Sequence, residues 1–92
     1  MVKREVEIRN STGIHARLAA IIVRTSARFA AECRIQRDDC EVDGKSIIGV
    51  MTLAAEQGAK LTLIFDGRDE EEAAIAMEAL FAAGFEETAQ YS

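Results

Sequence analysis

The chain has 92 residues, 49% hydrophobic and 29% charged, the make-up of one small globular domain rather than a disordered segment. A formal net charge of −5 leaves no basic footprint for nucleic acid or an anionic membrane. The longest apolar run, Leu18 to Val23, is too short to cross a bilayer, and the start lacks the apolar stretch of a secretory signal. The expectation is a cytoplasmic protein without membrane insertion, monomeric by default.

Val2 to Ile8 alternates, with Val2, Arg4, Val6 and Ile8 on one face, and this predicts a strand with one charged exception on its apolar side. Asn10-Ser11-Thr12-Gly13 is a loop. Ala16 to Phe29 then switches to helical spacing, with Ala19, Ile22, Val23, Ser26 and Phe29 on one side. Glu32 to Arg37 and Cys40 to Val42 form a hairpin around Asp38-Asp39, which pairs Arg37 with Cys40, Ile35 with Val42 and Cys33 with Gly44. That register holds the two cysteines roughly 13 Å apart, beyond the reach of a disulfide. Both read as small core or half-buried residues, and two cysteines with one histidine make a poor zinc set.

Asp43-Gly44-Lys45 is a turn, and Ser46 is a natural N-cap for a short helix from Ile47 to about Ala55. Val50, Leu53 and Ala54 serve the core. Lys60 to Phe65 is the last strand, with Leu61 and Leu63 on one face and Ile64 on the other. Asp69-x-x-Glu72 has the spacing of a capping box, and the acidic run Glu70 to Glu72 suits the positive end of a helix better than a metal. The third helix runs to about Ala83 with Ala73, Ala76, Met77 and Leu80 inward. Gly84 is a C′ residue, and Phe85 folds back on the helix. Residues 1–87 make the domain and 88–92 a frayed tail. The order β-α-β-β-α-β-α, with one wet face per strand, calls for an antiparallel sheet covered by helices on one side.

The chemistry-bearing residues gather around the single histidine, His15, placed where the first helix begins. A helix N-terminus supplies free N–H donors and partial positive charge for an anion, and Arg17 adds a cation with fork geometry for phosphate oxygens. Alone, such a histidine reads first as an ordinary exposed or capping residue. On the same helix Arg17, Arg24 and Arg28 fall within about 40° of one another, either a solvated face or a stripe for an acidic partner. Ile47, Ile48 and Met51 point away from the core side of the short helix, and an apolar patch there suggests protein docking. Ser46 reads first as a cap. As a phosphoacceptor it would set a dianion on a helix N-terminus. No nucleophile–base pair and no nucleotide loop support a free-standing enzyme.

Gly13-Ile14-His15-Ala16-Arg17 resembles the active-site signature of the HPr family, the histidine-containing phosphocarriers of the bacterial phosphoenolpyruvate:sugar phosphotransferase system. Val42 to Ala55 resembles that family's regulatory-serine signature, and Gly67-Arg68-Asp69-Glu70 the opening of its C-terminal helix. The likeness spans roughly residues 2–87. It implies an α+β fold, a two-layer open-faced sandwich whose four-stranded antiparallel sheet has the order 1-4-2-3 with three helices on one face. It further implies that His15 takes a phosphoryl group on Nδ1 from phosphorylated enzyme I and passes it to enzyme IIA domains, with Arg17 on the phosphate. Ser46 would be the target of an HPr kinase/phosphorylase, and Ile47, Ile48 and Met51, flanked by Arg24 and Arg28, the docking patch. No cofactor and no metal are called for. The alternative is a regulatory HPr-like module of a nitrogen-type or incomplete phosphotransferase system. Leu18 stands where the family commonly has proline.

Overall fold

The computed structural model describes residues 1–85; the expected tail at 88–92 lies outside them. Elements follow in the order β1 (Val2–Glu7), α1 (Ala16–Ser26), β2 (Glu32–Arg37), β3 (Cys40–Asp43), α2 (Ile47–Thr52), β4 (Lys60–Asp66) and α3 (Glu70–Ala82). The strands form one antiparallel sheet of order β1-β4-β2-β3. Period-2 alternation explains the register. Val2 and Cys33 flank Phe65, and Arg4 and Ile35 flank Leu63, so the apolar rows of three strands line one face. Phe65, Leu63 and Ile35 are fully buried there under the helices. Lys3, Arg34 and the half-buried Ile64 share the opposite, open face.

The hairpin pairs Arg37 with Cys40 and Ile35 with Val42 as expected, and the Gly44 N–H donates to the Cys33 carbonyl at 2.7 Å. Both cysteines are free. Cys33 is core, and its burial pushes the thiol up to about 12, which keeps it protonated and inert. Cys40 is exposed rather than half-buried, because β3 is the sheet's edge and the residue follows the turn. Arg4, the charged exception of β1, reaches Glu78 of α3 at 3.4 Å.

Four helix expectations need correction, each for a non-local reason. Helix α1 stops at Ser26, not Phe29. The Ser26 hydroxyl lies 3.1 and 2.8 Å from the Val23 and Gly44 carbonyls, and the Lys45 ammonium donates to the Phe29 carbonyl at 2.7 Å, tying this end to the 43–45 turn. Helix α2 stops at Thr52, not Ala55. The chain turns at Ala54, whose φ is +48°, leaving Ala54 exposed and Ala55 buried in its place. A left-handed conformation costs an L-residue about 1–2 kcal/mol, so something must hold it. Helix α3 buries Ala73, Ala74, Met77 and Phe81, with Ala76 and Leu80 only half-buried. At its end Phe85 does fold back, its ring 5.0 Å from that of Phe81 and its N–H on the Leu80 carbonyl.

The fourth correction is the capping box. Asp69 makes no side-chain bond to its own helix. Its carboxylate accepts the Ala30 and Ala31 N–H groups, each at 2.8 Å, and so staples the α1–β2 connection to the start of α3. Glu70 reaches back instead to the turn before the helix, accepting the Gly67 N–H at 3.0 Å. The Ala30 N–H, first among these donors, holds the Asp69 carboxyl below its ordinary value, as the Gly67 N–H does for Glu70. A lowered folded-state value means stability that is present above the ordinary carboxylate range and lost as pH falls through the folded value. Asp69→Asn is therefore expected to lower the urea midpoint at neutral pH, and that deficit shrinks toward zero in acid, where wild-type Asp69 is protonated too. A deficit equal at both pH values would rule out the charged staple.

Candidate functional site

His15 is the N-cap of α1. Its backbone is extended, with φ −127° and ψ −175°, and its ring Nδ1 accepts the Arg17 N–H at 3.2 Å. Accepting at Nδ1 assigns the proton of the neutral ring to Nε2. Nδ1 thus carries the lone pair and faces the first turn of α1, where it holds the Arg17 amide. The carbonyl of His15 takes the Ala19 N–H at 2.9 Å, the first intrahelical bond. Two features of the sequence set this cap. Asn10 folds the preceding loop by donating from Nδ2 to Thr12 Oγ1 and the Gly13 carbonyl at 3.1 and 2.8 Å. Gly13 then turns at φ +69°, and the Ile14 N–H bonds the Ala55 carbonyl at 2.8 Å.

His15 is half-buried and Arg17 exposed. A surface groove of about 530 Å³ lies elsewhere, between β1 and the end of α3, lined by Glu5, Val6, Arg9, Lys60 and Phe81. An anion on His15 Nδ1 would meet backbone N–H donors and the positive end of an eleven-residue helix, with the side chain of Arg17 two residues on. Leu18 is wholly buried. At the third helical position it contributes a core side chain, so its place in the first turn is filled by packing rather than by a proline ring.

Ser46 caps α2, its Oγ accepting the Gly49 N–H at 3.1 Å. Beside it Ile47, Ile48 and Met51 are 43, 77 and 43% exposed, so this small domain does not fold them into its core. Helices α1 and α2 pack against each other. Arg24 is exposed in the last turn of α1. Arg28 is not on the helix stripe, because α1 has already ended; its guanidinium lies over the Phe29 ring, 5.5 Å from the centroid. Two participants escaped the sequence reading as site elements: the Ala54–Glu56 backbone against which Gly13 packs, and Arg37, which grips that backbone. Only the glycine, fixed directly before Ile14-His15, gave any sign of a close approach.

Comparison with known proteins agrees with this geometry. The family model described as "PTS HPr component phosphorylation site" matches residues 2–83. The chain is 45% identical over 87 residues to the phosphocarrier protein HPr of Treponema pallidum, covering 95% of this chain and 99% of that one. It is 46% identical over 82 residues to the HPr-like protein Crh of Halalkalibacterium halodurans, covering 89% of this chain and 94% of the relative. The crystal structure of HPr-C-His from Thermoanaerobacter tengcongensis superposes with a TM-score of 0.90 at 40% identity, over 95% of this chain and 98% of that one. The sheet order and the length of these matches agree, and the chain belongs to the HPr family of phosphotransferase-system phosphocarriers.

Proposed function

We propose that His15 is the phosphoryl acceptor, loaded by phosphorylated enzyme I and unloaded to enzyme IIA domains. The observation that carries this reading is the cap geometry, with Nδ1 turned toward the first turn of α1 and accepting the Arg17 N–H. Transfer makes an Nδ1–P bond as the donor's N–P bond breaks. The protein supplies position and charge rather than acid–base chemistry. Arg17 and the first-turn amides stabilise the phosphoryl oxygens, while the half-buried, open setting leaves the other half of the site to the partner. Ile47, Ile48 and Met51 form the docking patch, with Arg24 contributing charge beside it. The test is incubation with enzyme I and phosphoenolpyruvate, read by intact mass and acid treatment. One acid-labile phosphate supports the carrier reading, and no uptake overturns it.

A second reading, regulation through Ser46, is favoured by the likeness to Crh and by the exposed patch next to the serine. A phosphate on Ser46 would put a dianion beside the docking surface and repel an acidic partner. Ser46→Asp is expected to slow loading of His15 about tenfold, on the scale of charge effects on association, mainly through a higher KM for the carrier. Loading as fast as wild type would remove this regulatory role.

A further inference from the structure

Arg37 leaves the end of β2 and closes over the loop that follows α2. Its Nη1 donates to the Leu53 and Ala54 carbonyls, both at 3.1 Å, and its Nη2 donates to both Glu56 carboxylate oxygens at 2.8 and 2.9 Å. All four bonds converge on the turn that carries Ala54 at φ +48°. The next carbonyl, that of Ala55, receives the Ile14 N–H at 2.8 Å. Gly13 presses on the same group so closely that a Cβ would stand 2.5 Å from the Ala55 oxygen. A continuous set of bonds therefore runs from the Arg37 guanidinium through residues 53–56 to Ile14, the neighbour of the histidine cap.

An exposed arginine–glutamate pair alone would matter little. Here, however, half of the guanidinium's bonds go to backbone carbonyls left without helical partners at the end of α2. They also stabilise a backbone conformation that alanine does not choose for itself. The planar fork reaches all four acceptors at once, which a lysine ammonium cannot do. We infer that Arg37 is a positioning residue for phosphoryl transfer: it holds the strained 53–56 turn, and that turn holds Ile14 and the cap orientation of His15.

The inference rests on the carrier reading for its rate effect but has a readout independent of it. In Arg37→Ala the Ile14 amide is expected to exchange with solvent about tenfold faster, as local openings become cheaper, while α3 amides keep their protection. In the loading assay kcat should fall about tenfold, a fraction of what a misplacement near 1 Å can cost. KM for the carrier should stay within about twofold, because Arg37 bonds none of the proposed docking side chains. Adding Ala54→Gly, which adopts the turn without strain, should restore most of both losses, and Arg37→Lys should fall between. Unchanged Ile14 exchange, a loss confined to KM, or no recovery in the double variant each overturns the inference. Wild type that takes up no phosphate overturns the carrier reading instead, and the exchange result still decides the structural half. Should Arg37→Ala fail to fold, Glu56→Gln removes the carboxylate half of the clamp and is expected to give a smaller effect in the same direction.

Discussion

His15→Ala is expected to take up no acid-labile phosphate from enzyme I, while Arg17→Ala is loaded about 10²–10³-fold more slowly, the cost of removing one preorganised donor from a developing oxyanion. The two differ because they remove different things. On the proposed reading His15 brings the nucleophile itself, and no other histidine exists in the chain. Arg17 contributes twice. Its side chain brings a cation, and its backbone N–H already bonds Nδ1 at 3.2 Å. Alanine deletes the first and keeps the second, so Arg17→Ala retains the helix-terminal amides and a measurable rate. Arg17→Lys restores the charge without the fork and should recover part of the loss. Rapid-quench loading, counted by intact mass, separates these outcomes. Phosphate on His15→Ala would move the acceptor elsewhere. Arg17→Ala loading at the wild-type rate would leave the backbone amides as the whole of the anion site.

How far the chain can be read in advance depends on how local each determinant is. The sheet was legible because alternation is a property of neighbours: once Asp38-Asp39 is taken as the tip, Ile35 must face Val42. His15 and Arg17 were legible for the same reason, lying two residues apart on one helix start. The failures are all decisions taken across the fold. The phase of α3 was misread because Ala73, Ala74 and Ala76 make the helix apolar nearly all round, so packing against β1 and β4 chose Phe81 over Leu80. Asp69 has an N-cap's sequence and position, but the free Ala30 and Ala31 amides outcompete its own helix for the carboxylate. The ends of α1 and α2 are set by Lys45 and Arg37, each acting on carbonyls 16 or 17 residues away. Arg28, the third arginine of the stripe, left the helix for that reason. A still longer separation, from Ile14 to Ala55, hid the connection between the α2–β4 turn and the histidine.

That connection makes Gly13→Ala a substitution expected to damage folding and transfer together. Gly13 has φ +69°, and an added Cβ would stand 2.5 Å from the Ala55 oxygen and 2.9 Å from the Glu56 Cα. These are backbone atoms, in a turn whose neighbouring carbonyls Arg37 already holds, so they cannot step aside as a flexible side chain would. The left-handed conformation costs about 1–2 kcal/mol and overpacking a further 1–3 kcal/mol or so, against the roughly 5–15 kcal/mol that holds a small domain together. Gly58 is the control. It has φ +89° but nothing within 4 Å of an added Cβ, so Gly58→Ala should suffer the conformational cost alone. Urea denaturation should therefore rank wild type above Gly58→Ala above Gly13→Ala. Loading should separate the two variants further. Where both are fully folded, Gly58→Ala should transfer at close to the wild-type rate. Gly13→Ala should be slowed by up to about a hundredfold, because relieving the clash displaces Ile14 from Ala55 and the cap of His15 with it. Equal stability for the two variants would deny the close contact at Ala55. A folded Gly13→Ala that loads like wild type would show that the contact stabilises the domain without orienting its histidine.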